Sequence, residues 1–129
     1  MENPIYQRIE DNLRTEELFA LLGIARSLKS QMCAVVHEAF EEYKKICRSY
    51  NIRPHGKASF RKYTYYFEQL NLIAVEPIKN KAEQGRFLKI SLVKISPSEL
   101  TEFLNSVIKN QDFLKEEKTL NLSYDKIVS

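Results

Sequence analysis

Apolar residues recur at helical spacing through four successive segments. Two short apolar runs then flank a basic, glycine-containing loop, and a last segment opens on a strong helix-start signal. Together these predict an α+β chain, mostly α: a winged helix (helix-turn-helix plus β-hairpin wing) with a C-terminal helix. The length, 129 residues, suits one domain. The reading divides it into residues 1–14 (N-terminal extension or short helix), 15–110 (winged-helix domain) and 111–129 (C-terminal tail).

Residues 4 to 13 read as a short helix. Asn3 can cap it, Pro4 suits the first helical position, and Ile5, Ile9 and Leu13 share one face. A second helix runs from about Thr15, the expected N-cap, to Leu28. Glu16 and Glu17 sit at the positive end of its dipole. The third is marked by Cys33, Val36, Phe40, Tyr43, Cys47 and Tyr50 on one face, with Glu41 and Lys45 as an i,i+4 ion pair. Asn51 ends it, and Pro54 opposes continuation. The fourth begins between Lys57 and Ser59, buries Phe60, Tyr63, Phe67 and Leu70, and stops at Asn71, a residue that tolerates the left-handed conformation. Leu72 to Val75 reads as a strand, 77–85 as a polar loop, and Phe87 to Val93 as an alternating strand. Ser96-Pro97-Ser98-Glu99 is a capping box with proline at the first helical position, followed by Leu100, Phe103, Leu104, Val107 and Ile108 on one face.

Charge is unevenly placed. Net charge is +3, yet the segment from Lys44 to Lys94 holds twelve Lys and Arg against three Glu, a net +9, leaving −6 elsewhere. A basic middle between acidic flanks points to a localised polyanion-binding face. No run approaches the roughly 18 apolar residues of a membrane span, and the N-terminus shows no signal-peptide pattern. Two cysteines, Cys33 and Cys47, make no disulfide framework and fit a reducing, cytosolic setting, and the localisation expected for a DNA-binding chain is cytoplasmic, nucleoid-associated. No catalytic or cofactor pattern stands out. Cys33 and His37 are four apart on a helix, but no second pair at metal-ligand spacing exists, so a buried thiol and a surface histidine are the simpler reading.

The stretch from Ile52 to Ile73 carries the function. A basic, turn-forming approach leads into a helix rich in Arg, Lys and Tyr, and then into a strand. With Phe60, Tyr63, Phe67 and Leu70 inward, Arg61, Lys62, Tyr65 and Gln69 face outward or sideways. Arg pairs bidentately with guanine and Gln with adenine. Tyr65 and Tyr66 offer hydroxyls or flat faces, or are ordinary half-buried aromatics. Arg53, His55, Lys57 and Ser59 precede or open the helix and suit phosphate contact at its positive end. The hairpin tip carries Lys79, Lys81, Gln84, Gly85 and Arg86. Gly85 permits a turn or close backbone approach, and Arg86 suits a narrow minor groove.

The run from Ala39 to Cys47, the gap to Pro54, the Ser59-Phe60-Arg61 helix start, the exit from Phe67 to Ile73 and the Gly85-Arg86 wing followed by Phe87-Leu88-Lys89-Ile90 form a pattern. Over roughly residues 15 to 108 it resembles the C-terminal winged-helix domain of the archaeal origin-recognition and cell-division-control replication initiator family. That resemblance implies binding to double-stranded DNA at origin repeats. Ser59, Arg61, Lys62 and Tyr65 would then meet the major groove, and Gly85 and Arg86 the minor groove. It also implies an upstream or separate ATPase module and other initiator or helicase proteins as partners. This chain departs from the family in having no G-x-x-x-x-G-K-[ST] loop, and Asn71 stands where the family often has glycine. It reads as a C-terminal piece or a stand-alone relative. Two other functions compete: a winged helix used for protein contact, which typically loses the basic helix start and wing retained here, and a dimeric transcriptional regulator using its terminal segments to dimerise.

Overall fold

The computed structural model describes residues 4–77 and 88–110. In chain order the elements are α1 (Pro4–Asn12), α2 (Thr15–Ser27), β1 (Ala34–Val35), α3 (Val36–Ser49), α4 (Lys57–Gln69), β2 (Ile73–Pro77), β3 (Leu88–Leu92) and α5 (97–110). This is a winged helix, mostly helical, with an N-terminal helix added in front. The expected hairpin tip, with Lys79, Lys81, Gly85 and Arg86, and the tail 111–129 lie outside the described residues.

The helical starts share one device. Glu17 accepts from the Arg14 backbone N–H at 2.8 Å, and Glu38 accepts from the Val35 N–H at 3.0 Å. Each glutamate thereby satisfies a donor that the helix itself leaves unpaired. Arg14, not the expected Thr15, is therefore the N-cap of α2, because Glu17 lies three residues beyond it. At α5 the Ser96 hydroxyl accepts from the Glu99 N–H at 3.1 Å, as the capping-box pattern predicts. α3 and α4 end alike. Asn51 and Asn71 adopt φ of 57° and 60°. Ile52 N–H then returns to Cys47 O and Leu72 N–H to Phe67 O, closing Schellman motifs with asparagine in the left-handed position.

One element was not expected. Ala34 and Val35 form a strand instead of the first turn of α3, which starts at Val36 and leaves Cys33 outside the helix. β1 pairs antiparallel with β3 (Ala34 with Ile90), and β2 pairs antiparallel with β3 on the other side (Val75 with Ile90). The order β1-β3-β2 makes β3 central and ties the wing hairpin to the segment joining α2 and α3. The surface ion pairs on α3 also differ from expectation: Glu41 pairs with Lys44 at 3.0 Å and Glu42 with Lys45 at 3.1 Å, both i,i+3, so Lys45 serves the nearer carboxylate.

The core gathers Ile5, Ile9 and Leu13 of the N-terminal segment, most of α2, the Ala39–Tyr43–Ile46 side of α3, Phe60 and Phe67 of α4, Ile73 and Ile90 of the sheet, and Leu100, Leu104 and Ile108 of α5. Burying each large side chain fully contributes about 1.5–3 kcal/mol, before entropy is counted. α1 belongs to this core and is also keyed to its neighbours. Tyr6 stacks on Phe103 with ring centroids 4.1 Å apart.

α2 and α3 meet backbone to backbone at Gly23. A Cβ there would lie 2.8 Å from Tyr43 N, 2.9 Å from Tyr43 Cα and 3.0 Å from Ala39 O. No flexible side chain can yield at that contact. Gly23→Ala gains about 1 kcal/mol of helix propensity but forces the helices apart at a cost of about 1–3 kcal/mol. Urea melts should show a net loss of stability at unchanged m. A stabilised variant would show that the helices separate freely.

Candidate nucleic-acid interface

Of the residues expected to contact DNA, those that are described fall on one side of α4 and on the segment leading into it. α4 turns Phe60, Thr64 and Phe67 fully inward. Phe60 sits in an aromatic cluster with Tyr43 at 5.2 Å and Phe40 at 5.4 Å between centroids. The Thr64 hydroxyl donates to Arg61 O at 2.6 Å, so its burial leaves no unmet polar group. Tyr63 and Leu70, expected inside, are half-buried at the margin.

The opposite side is open. Arg61, Lys62, Tyr65 and Gln69 are exposed, and Tyr65 is 57% exposed, one of two large apolar side chains so placed among the described residues. Arg53, His55 and Lys57 are exposed and Ser59 is half-buried, all around the start of α4. Ala58 also faces solvent on the Arg61–Tyr65 stripe. It escaped sequence reasoning because it is small and uncharged, although its i+3 spacing to Arg61 was visible. Tyr66 is not part of the open face. Its hydroxyl donates to Asn12 O at 3.0 Å, holding α4 against α1.

Electrostatics concentrate positive charge at the N-terminal half of α4. Its first turn contains no acid. The only ion pairs among the described residues are those on α3, so Arg53, Lys57, Arg61 and Lys62 have no carboxylate partner there. Gly56 is the N-cap and offers no side chain, leaving the N–H groups of the first turn without a side-chain acceptor. These groups and the helix dipole both favour an anion. Glu68, the one acid of α4, is exposed near the other end and limits the basic face to the first two turns.

The approach to α4 is fixed from below. The His55 backbone N–H donates to the Tyr43 hydroxyl at 2.9 Å, and the His55 ring Nδ1 lies within hydrogen-bond reach of the Tyr63 hydroxyl. Burial pushes the Tyr43 hydroxyl far above its usual pKa, so it stays protonated. Burial first, then Glu16 and Glu17, raises that of Tyr63 as well. The far end of α4 is fixed by Arg8, whose Nη1 donates to Leu70 O at 2.9 Å.

Among the described residues no group of three His, Cys, Asp or Glu could hold a metal ion. Cys47 is buried, which raises its thiol pKa and makes it unreactive. No helix among the described residues is long and apolar enough to cross a membrane.

Residues 9–103 match the family described as CDC6, C terminal winged helix domain. No curated protein matches the chain. Among solved structures it is similar to Cdc6p from Pyrobaculum aerophilum, with TM-score 0.68 and 24% identity over 80% of this chain and 26% of that one. It is also similar to the ORC2 protein of Aeropyrum pernix, with TM-score 0.64 and 18% identity over 80% of this chain and 25% of that one. The chain thus spans about a quarter of the length of these two proteins. At these identities the structural likeness establishes the fold.

Tyr43→Phe should remove the acceptor for the His55 N–H while keeping the ring in place. The expected loss is about 1 kcal/mol in urea unfolding, with faster amide exchange confined to the approach to α4. Unchanged exchange at His55 would show that water replaces the hydroxyl at no cost.

Proposed function

Because the chain belongs to the CDC6 C-terminal winged-helix family, we propose that it binds double-stranded DNA as the winged-helix part of a replication initiator, with an origin repeat as its target. One observation supports this most strongly: α4 leaves its basic start, which has no side-chain cap and no carboxylate partner among the described residues, in solvent while its other side is buried. A helix placed this way can enter a major groove N-terminus first.

In this reading Arg53, His55, Lys57 and Ser59 meet phosphates. Arg61 and Lys62 meet base edges from the first turns of α4, Tyr65 packs on sugar or thymine methyl, and Gln69 reaches a base or backbone farther along. Lys79, Lys81, Gly85 and Arg86, which lie outside the described residues, form the wing contact at the minor groove. Residues 15–110 make up the DNA-binding unit, braced by α1. The partners are an ATPase module, upstream in the same polypeptide or separate, and other initiator or helicase proteins.

Titrating duplex DNA at several salt concentrations tests the binding. With about 4–6 phosphates neutralised, log K should fall with log salt at a slope of about −4 to −5. A flat response would favour a protein-contact role. Arg61→Ala should weaken binding to a preferred sequence by about 1–3 kcal/mol and relax discrimination at one base pair. If specific binding is untouched, the helix docks elsewhere.

A further inference from the structure

Two tyrosines from two helices converge on one histidine at the start of α4. Tyr43 of α3 accepts the His55 backbone N–H at 2.9 Å, fixing where the residue sits. Tyr63 of α4 meets ring Nδ1 through its hydroxyl, fixing how the ring is turned, and the two rings lie tilted at 40° with centroids 6.0 Å apart. Among the described residues nothing bonds the other ring nitrogen, Nε2, and His55 is exposed.

The Tyr63 contact also selects a tautomer. A phenol is a good donor and a poor acceptor, and a bare imidazole nitrogen is a good acceptor. Burial and the nearby carboxylates of Glu16 and Glu17 favour the protonated phenol. In the neutral ring this contact has Tyr63 donating to Nδ1 and places the ring proton on Nε2. The groups acting on the Tyr63 hydroxyl come from α2 (Glu16, Glu17) and α3 (Cys47). Arg53 and Lys57 are the nearest cations along the chain.

We infer that His55 donates a hydrogen bond to a nucleic-acid phosphate through Nε2–H, and that Tyr63 is the positioning residue that turns the ring so that Nε2 faces outward. The inference rests on the DNA-binding reading and deepens it. His55 is set apart from Arg53 and Lys57: its ring is held by Tyr63, so it contributes direction at the helix start.

The test uses the full chain. In the free protein, nitrogen-resolved NMR at pH 8 should show His55 protonated at Nε2 and bare at Nδ1; the opposite tautomer overturns the inference. On duplex DNA at pH 8, His55→Ala should weaken binding roughly threefold to tenfold, the range for one neutral hydrogen bond, and leave the salt slope unchanged. A cationic contact would instead reduce the slope by about 0.9, and that result overturns the inference. Tyr63→Phe should weaken binding by a smaller factor, and by nothing further in the His55→Ala background; an equal loss in both backgrounds gives Tyr63 another role and overturns the assignment. If the unaltered chain binds no duplex, the DNA reading fails and the phosphate role with it. If it binds but His55→Ala is indistinguishable from it, the phosphate role fails alone.

Discussion

The close approach of α2 and α3 at Gly23 is the constraint on which the rest of the domain depends. Tyr43 forms half of that contact with its own backbone nitrogen and Cα, so its position is set by main chain against main chain. Its buried side chain then reaches the start of α4. Its ring packs on Phe60 of α4, and its hydroxyl holds the N–H of His55 just ahead of that helix. The position of the presented helix thus follows from a contact without side-chain freedom, through a single buried residue. Interiors are packed too densely for such a chain of contacts to absorb a displacement.

α4 is divided lengthwise and also end to end. Lengthwise, Phe60, Thr64 and Phe67 are inside and Arg61, Lys62 and Tyr65 outside. End to end, unpaired cations, a side-chain-free N-cap and the positive dipole coincide at the start, while Glu68 and the negative dipole occupy the other end. A polyanion therefore meets attraction at one end of the helix only, which sets the direction of approach as well as its strength.

Elements whose cause is local were legible in the sequence. Ile5, Ile9 and Leu13 announced a helix face, Asn71 its left-handed stop, and Ser96 with Glu99 a capped start, because each depends on neighbours within a few residues. β1 was not legible. Cys33 and Val36 continue the apolar spacing of α3, and only pairing with Lys89 and Ile90, far along the chain, makes Ala34 and Val35 a strand. The open face of α4 followed from its buried face, since a helix has one back to turn. The roles of individual tyrosines did not. Tyr63, Tyr65 and Tyr66 look alike in sequence, yet one holds a histidine, one stands in solvent and one bonds Asn12, because each points toward a different element. Gly23 gave only the hint that any glycine inside a helical pattern gives.

The fastenings of α4 are unequal at its two ends. At its C-terminus the Schellman bonds, Arg8 on Leu70 O, Tyr66 on Asn12 O and the return of Val93 N–H to Leu72 O all meet within a few residues. At its N-terminus the restraint is of another kind: the buried Phe60 ring among Phe40 and Tyr43, the Phe60-to-Gly56 bond and the two tyrosines around His55. The rear is thus held mainly by hydrogen bonds from α1 and the strand exit, and the front mainly by ring packing and two tyrosine hydroxyls. The helix is therefore seated at both ends, and the face it turns to solvent is presented as a fixed surface.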